Sequence, residues 1–230
     1  MQARTSPAKA TRSSQLAEDI RQTILSGRMQ PGTKINLDRM RAAYGVSLSP
    51  LREAVARLTH TGLVAFEDQR GYRIAGISPE NLAEVTRLRV ELESLALALA
   101  IERAGLEWEA EVMAALHRLT RADRTQPDAW DAACTAFHQT LVGGADMPIL
   151  SGTCGVLLGL NERYRRILAA QPSDDHAAIA EAAAVRRDAG LARALLRDHI
   201  ERGGACLARR LEEYRPLPAR PETNPLEDKP

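Results

Sequence analysis

Apolar residues recur every three to four positions from Asn81 to Leu211, which is most of this chain of 230 residues. That spacing places them on one face of successive α-helices, the face that a helix buries in a core. Only 3% of the residues are aromatic, whereas alanine and leucine occur throughout, so a β-sandwich or barrel is disfavoured. We therefore expect a mainly α protein whose larger part is an all-α helical bundle of six helices without strands.

Breaks in this pattern give the expected helices, which are 81–100, one from about 107, 127–141, 148–168, 173–187 and 191–211. In the first of them, six apolar residues share the repeated face: Leu82, Val85, Leu88, Leu92, Leu95 and Leu99. Gly76 and Pro79 lie just before this helix, and Ser78 can cap its N-terminus. We place a domain boundary at this point.

Charge divides the chain at the same place. Residues 1–76 hold 12 Lys and Arg against 6 Asp and Glu, the remaining residues hold 19 against 24, and the net charge of the whole is only +1. A basic first third beside an acidic remainder indicates that only the first part meets a polyanion. Chance asymmetry in a helical protein is the alternative interpretation.

Both ends have a composition that cannot bury a core. Residues 1–13 and 215–230 are polar and contain proline, so we expect flexible tails around one domain at 14–77 and a second at 78–214.

No apolar run reaches the ~18–20 residues that span a bilayer, and the chain starts with polar residues where a signal peptide is apolar. Three cysteines without CxxC spacing argue against a disulfide framework or a zinc ribbon. These features predict a soluble cytoplasmic protein.

The basic third has the pattern of three short helices followed by a β-hairpin. The first helix follows Ser13 or Ser14 as its cap, the second ends at Gly45, and the third has Pro50 in its first turn. Two short apolar strands around the polar turn 67–71 come next. This order predicts a winged helix-turn-helix, in which one helix enters the major groove of DNA and the hairpin, or wing, lies near phosphates or the minor groove.

Three stretches of this region, GRMQPGTKI, YGVSLSPLREAVARLTHTGLV and QRGYRI, resemble the N-terminal domain of the GntR family of bacterial transcription regulators. The resemblance implies that the start of the third helix reads DNA through Ser47, Ser49 and Arg52, and the wing through Arg70 and Gly71. Serine hydroxyls can bond to phosphates or bases, and arginine can make a bidentate contact with guanine.

Two positions depart from the family pattern. Many relatives have arginine where this chain has Leu48, and a basic residue near the position of Asp38. Arg39 and Arg41 are the substitutes that we expect for the missing contacts. Leu48 could instead contact the methyl group of a thymine.

Three of the five histidines are placed where a bundle can bring them together. His138 lies one and two turns after Cys134 and Asp131, so all three share a helix face. His176 and His199 lie 12 residues before and 11 residues after the break at 188–190, so two antiparallel helices would hold them at the same level. Converging imidazoles suit a borderline divalent ion such as zinc. The alternative is that the histidines are unrelated, solvated or at helix ends.

The stretches RVELESLALALA, AFHQTL and DHAAIAEAAAVRRDAGLARALLRDHI resemble the FCD ligand-binding domain, which marks one branch of the GntR family. The resemblance implies a divalent metal at Cys134, His138, His176 and His199, where many members have an aspartate at the first of these positions. A thiolate is a competent zinc ligand. Alternatively, Cys134 is a small buried apolar residue and the three histidines hold the metal with waters, Asp131 being a distant substitute.

The same resemblance implies a small organic acid whose carboxylate meets the metal or nearby cations. The candidates are Arg89, in a stretch similar to the family's R-x-x-L-E motif, and Arg163 with Tyr164. Arginine presents a planar fork that suits a carboxylate. The stretches WDAACTAFHQTLVGGA and RVELESLALALAIERAGLEWEAEV are similar to members associated with glutarate-like and 2-hydroxy-acid catabolism, which implies a dicarboxylate or 2-hydroxy acid.

These features predict a homodimeric, ligand-responsive transcriptional regulator that binds double-stranded operator DNA, in this family more often a repressor released by its effector. A metal-dependent hydrolase using the bundle histidines is the main alternative, with a zinc-bound water as nucleophile. No HExxH, GxSxG or P-loop motif occurs, and no carboxylate is expected beside the histidines as a general base. A DNA-architectural protein is a second alternative, disfavoured by the net charge near zero.

Overall fold

A computed structural model of the protein describes residues 11–170 and 175–215. These residues divide into two compact units between Gly76 and Ile77. The first unit is a helix-turn-helix with a hairpin and the second is all helical, which confirms the predicted fold class. Among the residues described, no helix is long and apolar enough to cross a membrane.

The first unit contains α1 (Arg12–Leu25), α2 (Leu37–Tyr44), α3 (Leu48–Thr59), β1 (Val64–Glu67) and β2 (Gly71–Ile74). The side chain of Thr11, rather than Ser13 or Ser14, caps α1. Ser13 is buried in the first turn of α1 and donates a hydrogen bond to Glu53 of α3. The helix therefore includes two residues of the predicted N-terminal tail, whose first ten residues lie outside the described part.

The turn between α2 and α3 depends on Gly45, which has φ +60° and ends α2 in the left-handed conformation. Ser47 is the N-cap residue of α3. The inner face of α3 carries Leu51, Val55 and Leu58, all buried, and it packs on α1. The opposite face of α3 is consequently left on the surface.

Strands β1 and β2 pair antiparallel in the register Val64↔Ile74 to Glu67↔Gly71. The other edge of β2 is also occupied, because the amide of Ile74 donates to the carbonyl of Thr33 and the amide of Ile35 donates to that of Tyr72. The segment 32–35 between α1 and α2 thus completes a small sheet around β2.

The second unit contains α4 (Pro79–Arg103), α5 (Leu106–Arg121), α6 (Pro127–Gly143), α7 (Pro148–Ile167), α8 (His176–Ala180) and α9 (Ala189–Glu213). Ser78 caps α4 as predicted. The predicted helix 173–187 begins partly outside the described residues, and its second half is a π-helical turn, Glu181–Val185. Helix α4 packs against α6, α7 and α9, and the close approach of Gly204 to Thr86 fixes the contact of α9 with α4.

The predicted apolar face of α4 is only partly correct. Leu82 and Val85 are buried, whereas Leu88 and Leu95 are 40% and 48% exposed. Buried positions of α4 include Arg89 and Glu93 instead. A helix with neighbours on several sides has more than one apolar face, so periodicity alone did not separate the core face from an outward one.

Candidate functional site

The outward face of α3 carries the side chains predicted to read DNA. Ser47, Ser49 and Arg52 are exposed at its N-terminal end. Arg52 makes no hydrogen bond or ion pair within the described part of the chain. Its neighbour Glu53 is engaged by Ser13 and by Arg57, whose Nη2 lies 2.8 Å from Glu53 Oε1. The face is therefore available to a ligand.

The remaining predicted DNA contacts lie on α2 and the wing. Arg41 and Arg70 are exposed, whereas Arg39 is half-buried. Gly71 has φ +82°, a conformation that disfavours any residue with a Cβ atom, so the tight wing turn requires glycine there. Leu48, which replaces the family arginine, is half-buried.

The second unit brings the predicted metal ligands together in its interior. Cys134 and His138 lie one turn apart on α6, and His176 begins α8. One ligand atom from each of these three residues lies within 4.8 Å of the others, and Cys134 Sγ is 3.8 Å from His176 Nε2. His199 of α9 adjoins this group, with its ring centroid 4.6 Å from that of His176 and 5.4 Å from that of His138.

Two carboxylates lie beside these histidines, where the sequence indicated no carboxylate as a general base. Glu93 Oε2 is 2.8 Å from His138 Nδ1, and Glu93 Oε1 accepts a hydrogen bond of 2.6 Å from Arg89 Nε. Asp175 Oδ2 is 3.7 Å from His199 Nδ1. Sequence reasoning missed Glu93 although it ends the RVELE stretch, since the motif was read only for its arginine.

The charged groups of this cluster shift the pKa values of their neighbours towards the ionised forms. Burial alone would raise the pKa of Glu93, but Arg89 and His138 more than offset it and lower that pKa to about 2. Burial opposes protonation of His138, yet Glu93 and Cys134 raise its pKa above the ordinary value. Burial likewise opposes ionisation of Cys134, and hydrogen bonds from His138 and His176 bring the pKa of the thiol well below its usual range. The cluster thus favours an ionised cysteine.

The donor set fits a zinc-like ion. A thiolate and imidazole nitrogens are the ligands of borderline divalent metals, and zinc accepts four of them in a tetrahedron. Asp131 is not a substitute ligand, because its carboxylate is bound by Arg165 and by Arg166, whose Nε lies 2.7 Å from Asp131 Oδ2. Arg165 also contacts the Cys134 sulfur, at 3.6 Å.

A cavity of about 220 Å³ adjoins this cluster. Its polar lining includes Arg89, Arg165, Arg202, Asn161, Thr135 and the three histidines. Among the residues described, Arg163 and Tyr164 are not part of this lining. Tyr164 lies outside the cavity, where its ring packs in a cluster with Leu82. Its hydroxyl accepts a hydrogen bond of 3.1 Å from the Ser78 amide. The helix α7 thus turns Arg165, rather than the predicted pair, into the cavity.

Both units match known protein families. Residues 12–74 match "Bacterial regulatory proteins, gntR family", and residues 84–202 match the FCD domain. The HTH-type transcriptional repressor GlaR of Escherichia coli (strain K12) is 32% identical over 196 residues, which cover 79% of this chain and 89% of GlaR. The HTH-type transcriptional regulator BphR of Paraburkholderia xenovorans (strain LB400) is 31% identical over 195 residues, 79% of each protein.

The fold is similar to that of the solved structure of E. coli McbR/YncC. The TM-score is 0.75 at 22% identity, over 88% of this chain and 100% of that one. Because these families and relatives are transcriptional regulators, the metal-dependent hydrolase has no support. The chain belongs to the GntR family, as a DNA-binding transcriptional regulator with an FCD domain, and it is not an enzyme.

Proposed function

We propose that this regulator is a repressor that leaves its operator when a small organic acid enters the FCD cavity. The observation that carries the proposal is the convergence of three arginines and three histidines on one cavity inside the second unit. Arg89 and the three histidines are buried, and buried titratable groups that cluster beside a cavity are candidates for a binding site. The effector shifts the regulator between two conformations by its difference in affinity for them. Its DNA partner implies action in the cytoplasm.

The DNA contacts that we propose are Arg39, Arg41, Ser47, Ser49, Arg52, Arg70 and Gly71. The exposed N-terminal end of α3 supports base contacts by Ser49 and Arg52. The basic excess of residues 1–76 supports phosphate contacts around it. The target is a palindromic operator read by two copies of α3 about one DNA turn apart.

We further propose that Cys134, His138 and His176, with His199 beside them, hold a zinc ion. The close approach of their ligand atoms and the ionised thiol support this set. The chemistry that the ion supplies is an electrophilic point that holds a carboxylate. Metal analysis should find about one zinc per chain, and His176→Ala should lose it. His117→Ala, which changes an exposed histidine, is the control and should keep the zinc. Full zinc occupancy in the His176→Ala variant would contradict the ligand set.

The effector that we propose is a dicarboxylate or 2-hydroxy acid held by Arg89 and Arg165, in place of Arg163 and Tyr164. A thermal-shift screen of dicarboxylates, 2-hydroxy acids and matched monocarboxylates tests this. A true effector at a hundredfold excess over its Kd should raise Tm by about 5–10 °C. The same acid should release the protein from the intergenic DNA beside its own gene. An acid that raises Tm without weakening DNA binding would contradict the proposed repressor.

A homodimer is the assembly that we propose. Leu88 and Leu95 are seven residues apart on α4, so they share one outward stripe of two helical turns. Surface leucines spaced in this way are typical of a helix that packs against a second copy.

A further inference from the structure

We propose that Glu93 is a positioning residue of the metal centre, which selects the nitrogen of His138 that is available to the ion and connects that ligand to Arg89 in the cavity. The inference rests on the proposed metal site. It concerns a residue that is itself neither part of the cavity lining nor a member of the ligand set.

The first step is the hydrogen bond to His138. Glu93 Oε2 lies 2.8 Å from His138 Nδ1, and both side chains are buried. A carboxylate can only accept, so Nδ1 carries the proton, and the neutral ring that binds a metal offers the lone pair of Nε2. A metal-bound histidine commonly donates its other N–H to a carboxylate, which fixes the tautomer and makes the ligand more basic. Glu93 meets that requirement for His138.

The second step is what holds Glu93. Arg89 Nε donates to Oε1 at 2.6 Å, and Arg89 Nη2 lies 3.4 Å from Oε2. Arg89 and Glu93 are one turn apart on α4, and Arg89 is also one of the residues that line the cavity. Glu93 thus bridges an arginine of the cavity lining and a proposed metal ligand, since Oε1 accepts from Arg89 while Oε2 accepts from His138 and, at 3.4 Å, from Arg89 as well. A change at either end reaches the other through one carboxylate.

This arrangement predicts an unusual effect of Glu93→Gln. Arg89 can only donate, so it takes the amide oxygen, and the NH2 group of the glutamine is turned towards His138. An amide NH2 donates to Nδ1, which moves the histidine proton to Nε2 and blocks the ligand atom. We expect zinc affinity, measured by chelator competition, to fall about 10–100-fold. The d–d and thiolate charge-transfer bands of the cobalt-substituted protein should change with it.

A second variant separates this effect from a loss of folding. In Arg89→Met with Glu93→Gln, no arginine orients the amide and no buried charge lacks a partner, so the glutamine oxygen can turn to His138. Zinc affinity should then recover to within about threefold of wild type. The control is Glu162→Gln, which neutralises a similarly buried glutamate paired with Arg166, and zinc affinity should change less than twofold. Circular dichroism and Tm verify folding of each variant.

A measurement on the unaltered sequence removes any dependence on variants. In 15N-histidine-labelled protein loaded with 113Cd, His138 should show its metal coupling at Nε2 and its proton at Nδ1. Coupling through Nδ1, or a folded Glu93→Gln protein with wild-type zinc affinity, would overturn the role of Glu93 while leaving the metal site intact. A wild-type protein that binds neither zinc, cobalt nor cadmium would overturn the metal site and this inference together.

Discussion

His199 stays neutral in the folded protein far below the pH at which a free histidine takes up a proton. Burial is the largest cause, followed by the charges of His138 and His176, and together they lower its pKa from 6.5 to about 2. In the unfolded chain the same side chain protonates near pH 6.5. Unfolding therefore takes up a proton below that pH, and the stability due to neutral His199 declines as the pH falls from 6.5 towards 2.

We predict that His199→Gln makes the metal-free protein less sensitive to acid. The free energy of unfolding of wild type, relative to the variant, should fall by up to about 1.4 kcal/mol per pH unit between pH 6 and 4. Urea denaturation at several pH values measures this difference. His138 has a raised pKa, so its contribution is lost as the pH rises above 6.5 and changes little between pH 6 and 4, where its ring is largely protonated in both the folded and the unfolded chain. A difference that is constant with pH would show that His199 protonates freely.

Functional residues were predictable where a sequence motif specified their positions. They were less predictable where helix packing determines which side chain faces the site. The spacing of His138, His176 and His199 indicated convergence, the family resemblance added Cys134, and the structure brings these side chains together. Glu93 is a charged residue, and the sequence pattern of α4 indicates burial only for its apolar residues. Glu93 is buried because Arg89 and His138 pair with its carboxylate. The choice between Arg163 and Arg165 depended on the rotation of α7, which short apolar patterns do not determine.

Helix α3 separates its two tasks between opposite faces. Leu51 and Val55 are fully buried, whereas Ser49 and Arg52 are exposed. Glu53 cross-links α3 to α1 through Ser13, and Arg57 donates both to Glu53 and to Ser14. The inner face and this link hold the helix in place, and the N-terminal side chains remain exposed.

We predict that Arg52→Ala weakens operator binding by about 1–3 kcal/mol, because one arginine contact with a base edge is lost. Arg57→Ala is the matched control on the same helix. It breaks an exposed ion pair and should leave operator affinity within about threefold while changing stability by less than about 1 kcal/mol. Fluorescence anisotropy with operator and random duplexes measures both variants. Equal losses on both duplexes for Arg52→Ala would indicate a phosphate contact instead.

The elements themselves were largely predictable, because caps and breakers mark their ends. Gly45 ends α2 and Ser78 begins α4 where the sequence indicated. Thr11 was overlooked as a cap because it lies in a polar stretch without apolar periodicity. The π-helical turn Glu181–Val185 has no sequence signal of its own, since a run of alanines is equally compatible with an α-helix.

At the scale of the whole molecule, we predict that Leu88→Glu with Leu95→Glu converts a dimer to a monomer. Two charges on the outward stripe of α4 would oppose each other across a twofold axis and lose apolar contact. Sedimentation velocity measures the mass, and operator affinity should fall at least tenfold, because one half-site is bound instead of two. Leu106→Glu is the control, since Leu106 is 78% exposed on another helix. A dimer that survives the double change would place the interface elsewhere.

The small sheet around β2 has a mechanical consequence for leaving DNA. Thr33 and Ile35 are hydrogen-bonded to one edge of β2, and β1 pairs with the other edge. The wing is therefore held on both sides and does not move independently of the first unit. Strand β1 also packs on α3, so the wing and α3 belong to one packed unit. The DNA contacts that we propose for the wing and for α3 should therefore form and break together in each copy of the protein.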